Sequence, residues 1–322
     1  MIQINEQERV ELVKFVLRHA STSFTTLKEQ LSMFLDCFFS IIKNHHDREK
    51  SEIASYADVF FQMMASKCLH MKLLLNGVSY SSSKGISMDN IIDPTIITPL
   101  VRMMYEQAGL FNLIYRNAAN EDERIIIYNL WMVSGLNYRQ SFTDVITLDE
   151  NKAKAQTESD EIKRYTKIIK GTTLYKSLPP KEQSKIETRI NTKNYLVQIK
   201  NQKVDVLDWK KLNDILKLDV RLFSHFYAHA SLYTHPNYVS AMQFSQMFSD
   251  ERDYMGLAEL AITNGLAILS IFLADYLHYY PEALQTFNNL PLGDQIVINM
   301  RNKVSRGAPY SINDAGDAMG NI

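Results

Sequence analysis

Arg102 and Glu106 lie four residues apart in a methionine- and leucine-rich stretch, and Tyr227, Ser231 and His235 follow one another at the same interval much later in the chain. On a helix a step of four advances only about 40° around the axis, so the members of each set share a face. Arginine can neutralise developing negative charge, a carboxylate can hold an imidazole or act as base, hydroxyls can donate hydrogen bonds, and histidine moves a proton near neutral pH. If the two sets meet, Glu106 and His235 are the candidate catalytic groups, and Arg102, Tyr227 and Ser231 are candidate contacts for a small anionic ligand. Pro236 disfavours helical geometry in the residue before it, which puts His235 at a helix C-terminus, where exposed carbonyls favour a protonated ring. Each set also has a plainer reading. The first is an exposed helical ion pair worth roughly 0.2–0.5 kcal/mol, and the second is a wet helix face ending in a cap.

His225 and His229 are also four apart, a spacing that can serve a metal, but no glutamate follows His225 in the metalloprotease manner and no third ligand is near. No metal is expected. Walker, Gly-x-Gly-x-x-Gly and Gly-x-Ser-x-Gly sequences are absent, so no nucleotide cofactor or esterase elbow is expected either. Between Glu161 and Lys211 stand 13 basic and five acidic residues, a local net charge of +8 in a chain whose total is -1. Lys163, Arg164, Lys167 and Lys170 form the densest part of this run. With Tyr165, Tyr175 and Tyr195 for stacking, they are the candidate nucleic-acid contacts.

The pairing of an Arg-x3-Glu helix with a downstream Tyr-x3-Ser-x3-His row, here Arg102, Glu106, Tyr227, Ser231 and His235, resembles a bacterial family of all-helical proteins carrying a domain of unknown function. The resemblance spans roughly residues 93–274. It implies that the two polar sectors face each other across a helical bundle. It lends no reaction, and this chain departs from the pattern by inserting the charged section 149–207 between the two motifs.

The elements that must position these residues are helical. Eleven glycines and eight prolines in 322 residues leave few turns for a sandwich or barrel, and 46% hydrophobic content can bury a substantial core. Apolar residues recur at helical spacing over 6–19 and 22–43, and Ser51 can cap a third helix ending at Asn76-Gly77. Residues 79–89 read as a polar loop. A fourth helix starts at Pro94 or Pro99 and runs to about Asn117, and Asn120 caps a fifth. Residues 149–170 form a solvated helix, 195–207 a possible small hairpin, and 212–233, 250–280 and 292–304 further helices. The fold class is therefore all-α: a multi-helix bundle with one domain over 1–304, a charged, basic insertion-like segment at 149–207, and a loose tail at 305–322.

Two cysteines without metal or redox spacing, and an N-terminus without a signal pattern, suggest a reducing cytoplasm. The most apolar run, 260–274, is 15 residues, short of the roughly 20 that span a bilayer, so a buried helix is expected and no membrane contact. Three functions compete. The first is a polar small-ligand or acid–base site at the five motif residues, which leaves enzymatic activity open. The second is a nucleic-acid-binding or nuclease-like bundle of the bacterial toxin or phage-defence kind. Its nearest match to the HEPN ribonucleases, Arg221 with His225, has only three residues between, fewer than that family's spacing, so the activity does not carry over. The third is a helical scaffold or interaction protein, with self-association as one form.

Overall fold

The computed structural model describes residues 5–21, 23–45, 50–235 and 237–308. Helices α1 (Glu6–Ala20), α2 (Phe24–His45) and α3 (Glu52–Leu74) are followed by a two-stranded ribbon, β1 (Val78–Ser81) with β2 (Ser87–Ile91). Next, α4 (Pro94–Phe111) passes into a π-helical turn, Asn112–Arg116, and α5 (Glu121–Gln140), α6 (Asp149–Gly171), α7 (Thr173–Ser177) and α8 (Pro180–Ile190) lead to a hairpin, β3 (Val197–Lys200) with β4 (Lys203–Val206). The chain closes with α9 (Leu212–Ile215), α10 (Val220–Phe223), α11 (Phe226–Thr234), α12 (Tyr238–Met247), α13 (Glu251–Tyr279), α14 (Ala283–Asn288) and α15 (Leu292–Ser305). The fold is all-α: of the described residues 75% are helical, and they form two small sheets. Within the stretch read as one domain, the chain forms two compact units: Met1–Phe111 with Asn213–Ile322, and Asn112–Leu212. Of the tail, residues 309–322 lie outside the described residues.

Local chemistry sets the helix starts. Ser51 accepts from the Ala54 N–H, Asp93 from Thr95 at 2.8 Å, and Asn120 from Glu123 at 2.9 Å. Each satisfies an N–H that the first helical turn leaves unpaired. Pro94 then occupies the first helical position of α4, where its missing donor costs nothing.

Two expectations need correction. Residues 79–89 are a β-ribbon rather than a loop, with Tyr80 opposite Met88. Its residues are nearly all exposed, so no buried face gives the sequence a period of two; left-handed Gly77 and Gly85, at φ 78° and 80°, turn the chain instead. Nor is 212–233 one helix. Lys217 is left-handed at φ 53°, Asp219 accepts from the Arg221 N–H at 2.9 Å to start α10, and His225 leaves helical geometry before α11.

In the larger unit α13 packs against α4, α2, α3 and α15. Phe61 sits 4.0 Å from Tyr276 and 4.8 Å from Phe38, and Phe111 4.9 Å from Phe272, ring centre to ring centre. The polar tips of this aromatic core are satisfied, since Tyr276 donates to Asp58 at 2.9 Å and Tyr280 to the Ala54 carbonyl at 2.7 Å. The helix around the 260–274 run is longer than that run: Tyr254–Tyr279 is long and apolar enough to cross a membrane, and most of it is buried.

In the smaller unit α5 packs along α6, and the expected hairpin is present. Its two-residue turn has both Asn201 and Gln202 at positive φ, 50° and 59°, the geometry that matches the strands' twist. Ile199 and Val204 are opposite each other, next to the turn-flanking pair, so their N–H groups point away from the ladder. Two carboxylates meet them. Glu123 of α5 accepts from Ile199 at 3.0 Å and Glu182 of α8 from Val204 at 2.7 Å, closing both open edges. Glu123 is almost fully buried and also accepts from the Ala119 N–H at 2.8 Å. Glu123→Ala strands the buried Ile199 N–H and takes the acceptor from the exposed Ala119 N–H, and is expected to cost about 1–3 kcal/mol. Urea denaturation measures the loss, and hydrogen exchange is expected to show the Ile199 amide accelerating ahead of residues in the larger unit.

Candidate functional site

Helix α4 presents Arg102 and Glu106 on the sector facing α11. Ile97, Val101, Met104 and Ala108 are buried, which leaves the strip carrying Arg102 and Glu106 at the margin of the core. Arg102 Nε donates to Glu106 Oε1 at 2.9 Å, and Nη2 donates to the Tyr227 hydroxyl at 2.7 Å. The guanidinium also lies over the Tyr227 ring, 4.5 Å from its centre. Arg102 and Glu106 are 16% and 26% exposed, so the pair is shielded well beyond an ordinary surface bridge. The third nitrogen, Nη1, is buried with no acceptor.

The structure thus brings together Arg102, Glu106 and Tyr227. Beneath them lies Tyr105, which the four-residue spacing does not single out. It is buried, with its ring 6.0 Å from Tyr227 and 5.5 Å from Phe226. The available signal was its place beside Glu106, one residue round the helix toward the core stripe.

Ser231 and His235 do not join the cluster. Ser231 Oγ donates to the Tyr227 carbonyl at 2.6 Å, a bond within its own helix. His235 stands just beyond α11, exposed and with extended backbone. Eight residues separate it from Tyr227, which is roughly 12 Å of helix rise. The expectation that it ends the helix holds. Phe223, Phe226 and Ala230 are buried, and Leu222, on the separate helix α10, is 56% exposed.

Burial pushes the Tyr227 phenol above its ordinary value, and the Glu106 charge pushes the same way against a smaller opposite pull from Arg102. Tyr227 is therefore a neutral phenol at physiological pH, its oxygen accepting from Arg102. Burial likewise lowers His229, whose ring meets Tyr233 edge-on at 5.5 Å. Among the described residues no group of three or more histidines, cysteines, aspartates or glutamates could hold a metal ion. Both cysteines are buried thiols, with Cys37 pushed up to about 12 by burial.

On α6, Lys163, Arg164, Lys167 and Lys170 are exposed. Lys163 is paired with Asp160 at 2.8 Å, Lys170 with Glu187 at 2.7 Å, and Arg164 lies over Tyr165. Of the three tyrosines expected to stack on bases, Tyr165 and Tyr175 are buried, while Tyr195 is half-buried with its ring edge-on to Trp209 at 6.2 Å.

No family model, curated protein or solved structure matches the chain.

Arg102 ties α4 to α11 through one phenol. Tyr227→Phe keeps the ring and removes the bond, with an expected cost of about 1–2 kcal/mol in urea denaturation at neutral pH. The raised phenol fixes the sign of the pH dependence. Its contribution is fully present below the unfolded value of 10.0 and is lost as pH rises through the higher folded value. The alkaline fall in stability is therefore expected to be shallower in the variant.

Proposed function

We infer that the protein is a helical interaction protein that self-associates through α12. The observation that carries this reading is the missing charge on an exposed helix. Residues 231–249 contain no lysine, arginine, aspartate or glutamate, in a chain where 22% of residues are charged. Within α12 only Met247 is buried. Tyr238 is 81% exposed, Phe244 49% and Met242 38%. A solvated helix ordinarily carries a charged face, and one apolar on most sides is ordinarily covered. The helix is well formed locally, with Asn237 and Ser240 making a reciprocal capping box.

A second copy is the occupant that fits. A twofold contact sets the same patch against itself, so a charged patch would meet its own charge, whereas an uncharged one incurs no such repulsion. In this reading the Arg102 cluster fixes how α11 sits on α4, and so where α12 begins. Sedimentation velocity across a range of concentrations is expected to show a dimer that Met242→Lys and Phe244→Lys convert to monomer with unchanged helicity. A wild-type chain that stays monomeric at tens of micromolar, or that binds anionic vesicles in its place, overturns the reading.

One observation favours a second reading, a small anionic ligand at Arg102. Its Nη1 is a buried donor without an acceptor, a condition that costs about 1–3 kcal/mol when nothing fills it. Acetate or phosphate is then expected to raise the melting temperature of the wild type and leave Arg102→Lys unmoved. An equal response in both removes the site.

A further inference from the structure

A cavity of about 220 Å³ lies in the smaller unit, between the end of α5, the segment after it and the first half of α6. Phe142, Ile146 and the Ala155 methyl form its apolar wall, while Arg139, Lys154 and Glu158 supply charge. The α5 end is anchored to α6 here, with the Gln140 amide donating to the Ala155 carbonyl at 2.9 Å.

Glu158 is the informative group. Its side chain is only 9% exposed, and Arg139 holds Oε1 at 2.7 Å. The other oxygen, Oε2, takes no hydrogen bond from any described residue, yet it is not sealed from solvent and its residue lines the cavity. Solvent reaches this oxygen through the cavity, so a ligand's ammonium can take the place of water there with a charge-assisted hydrogen bond. Arg139 and Lys154 bring positive charge to the same small space.

These signs together select a ligand. A purely cationic molecule would meet two cations, and a purely anionic one would meet the open oxygen of Glu158. A molecule carrying both charges on adjacent atoms can set its ammonium toward Glu158 and its carboxylate toward Arg139 and Lys154, with an apolar group against Phe142 and Ile146. The volume lies below the roughly 300–1,000 Å³ that accommodates drug-sized ligands, so the molecule is small. We propose that this cavity is a binding site for a free α-amino acid with an apolar side chain. The site lies wholly within the smaller unit and is independent of α12 and of Arg102.

The test is isothermal titration of the full chain at neutral pH with L-leucine and L-phenylalanine. Two analogues of leucine each lack one charge: 4-methylpentanoate has no ammonium and 3-methylbutylamine no carboxylate. At least one amino acid is expected to bind, with each analogue weaker than leucine or silent, by about tenfold or more where leucine binds. Glu158→Gln can unfold the unit, so two gentler variants carry the test. Lys154→Ala, at an exposed position, is expected to weaken amino-acid binding severalfold, and Ala155→Leu, which fills the cavity, to abolish it while the circular dichroism stays unchanged. Absence of binding by both amino acids at millimolar concentration overturns the proposal. So does an analogue that binds as tightly as leucine, or undiminished binding by folded Ala155→Leu.

Discussion

The larger unit is organised by the need to cover α13 on nearly every side. From Tyr254 to Tyr279 this helix carries only Glu259 and Asp275 as acidic or basic groups besides His278, so it cannot leave a broad face in water, and its burial is a large favourable term for this part of the chain. Helices α2, α3, α4 and α15 answer that need, and rings from three of them interlock at Phe38, Phe61, Phe111 and Phe272. Close packing of this kind tolerates little rotation of any member. With Ile97, Val101, Met104 and Ala108 committed to the core, the rotation of α4 about its axis is set, and the margin that carries Arg102 and Glu106 follows from it. The polar cluster is therefore a consequence of hydrophobic packing, and Tyr227 is the partner that makes use of it.

Charge inside the protein follows one rule in both units: a shielded ionic group is held by directional hydrogen bonds, whether or not an opposite charge stands beside it. Arg102 has a carboxylate, a phenol and a ring face. Glu123 has two backbone N–H groups, and Glu182 has Lys185 with the Val204 N–H, which together hold its carboxyl below the ordinary value. Removing an ion from water is expensive enough that an attraction to one counter-charge seldom repays it. The groups that break the rule are informative for that reason. Arg301 is buried with one nitrogen on Gln30 at 2.6 Å and another without an acceptor, and burial lowers its pKa. Glu158 keeps one oxygen open, and there a cavity adjoins the group.

The helices were legible because burial writes a period into the sequence. Residues 6–19, 22–43 and 292–304 carried that period, and the caps at Ser51 and Asn120 marked starts that the structure reproduces to the residue. The ribbon at β1 and β2 left no such trace, since neither of its faces is buried. The breaks between α9, α10 and α11 were hidden for a different reason. Lys217 in a left-handed conformation and the Asp219 N–H bonded to the Ser305 carbonyl at 2.9 Å are long-range outcomes that no local spacing encodes. Of the five motif residues, the two in α4 were readable as a pair because they are neighbours on one helix, and their meeting with Tyr227 followed from tertiary packing. Regular spacing along α11 said which residues share a face. It said nothing about how far along that face the partner helix reaches, and this is why Ser231 bonds to its own backbone and His235 stands exposed.

Exposed apolar side chains are spread over the surface of both units. Single exposed leucines and valines need no account, because the surface of any globular protein is largely apolar. On α12 they are clustered on one well-capped helix that carries no charge. An isolated ten-residue helix is marginal in water, and α12 makes its contacts through few side chains: Met247 is buried, and Gln243 accepts from the Tyr233 hydroxyl at 3.1 Å. Propensity alone does not favour a segment with four aromatic or β-branched residues between Tyr238 and Phe248. Covering its outer face would supply the burial that its own chain does not, and would do so without desolvating any charge. The same sequence feature that makes α12 poorly suited to water makes it well suited to a protein surface.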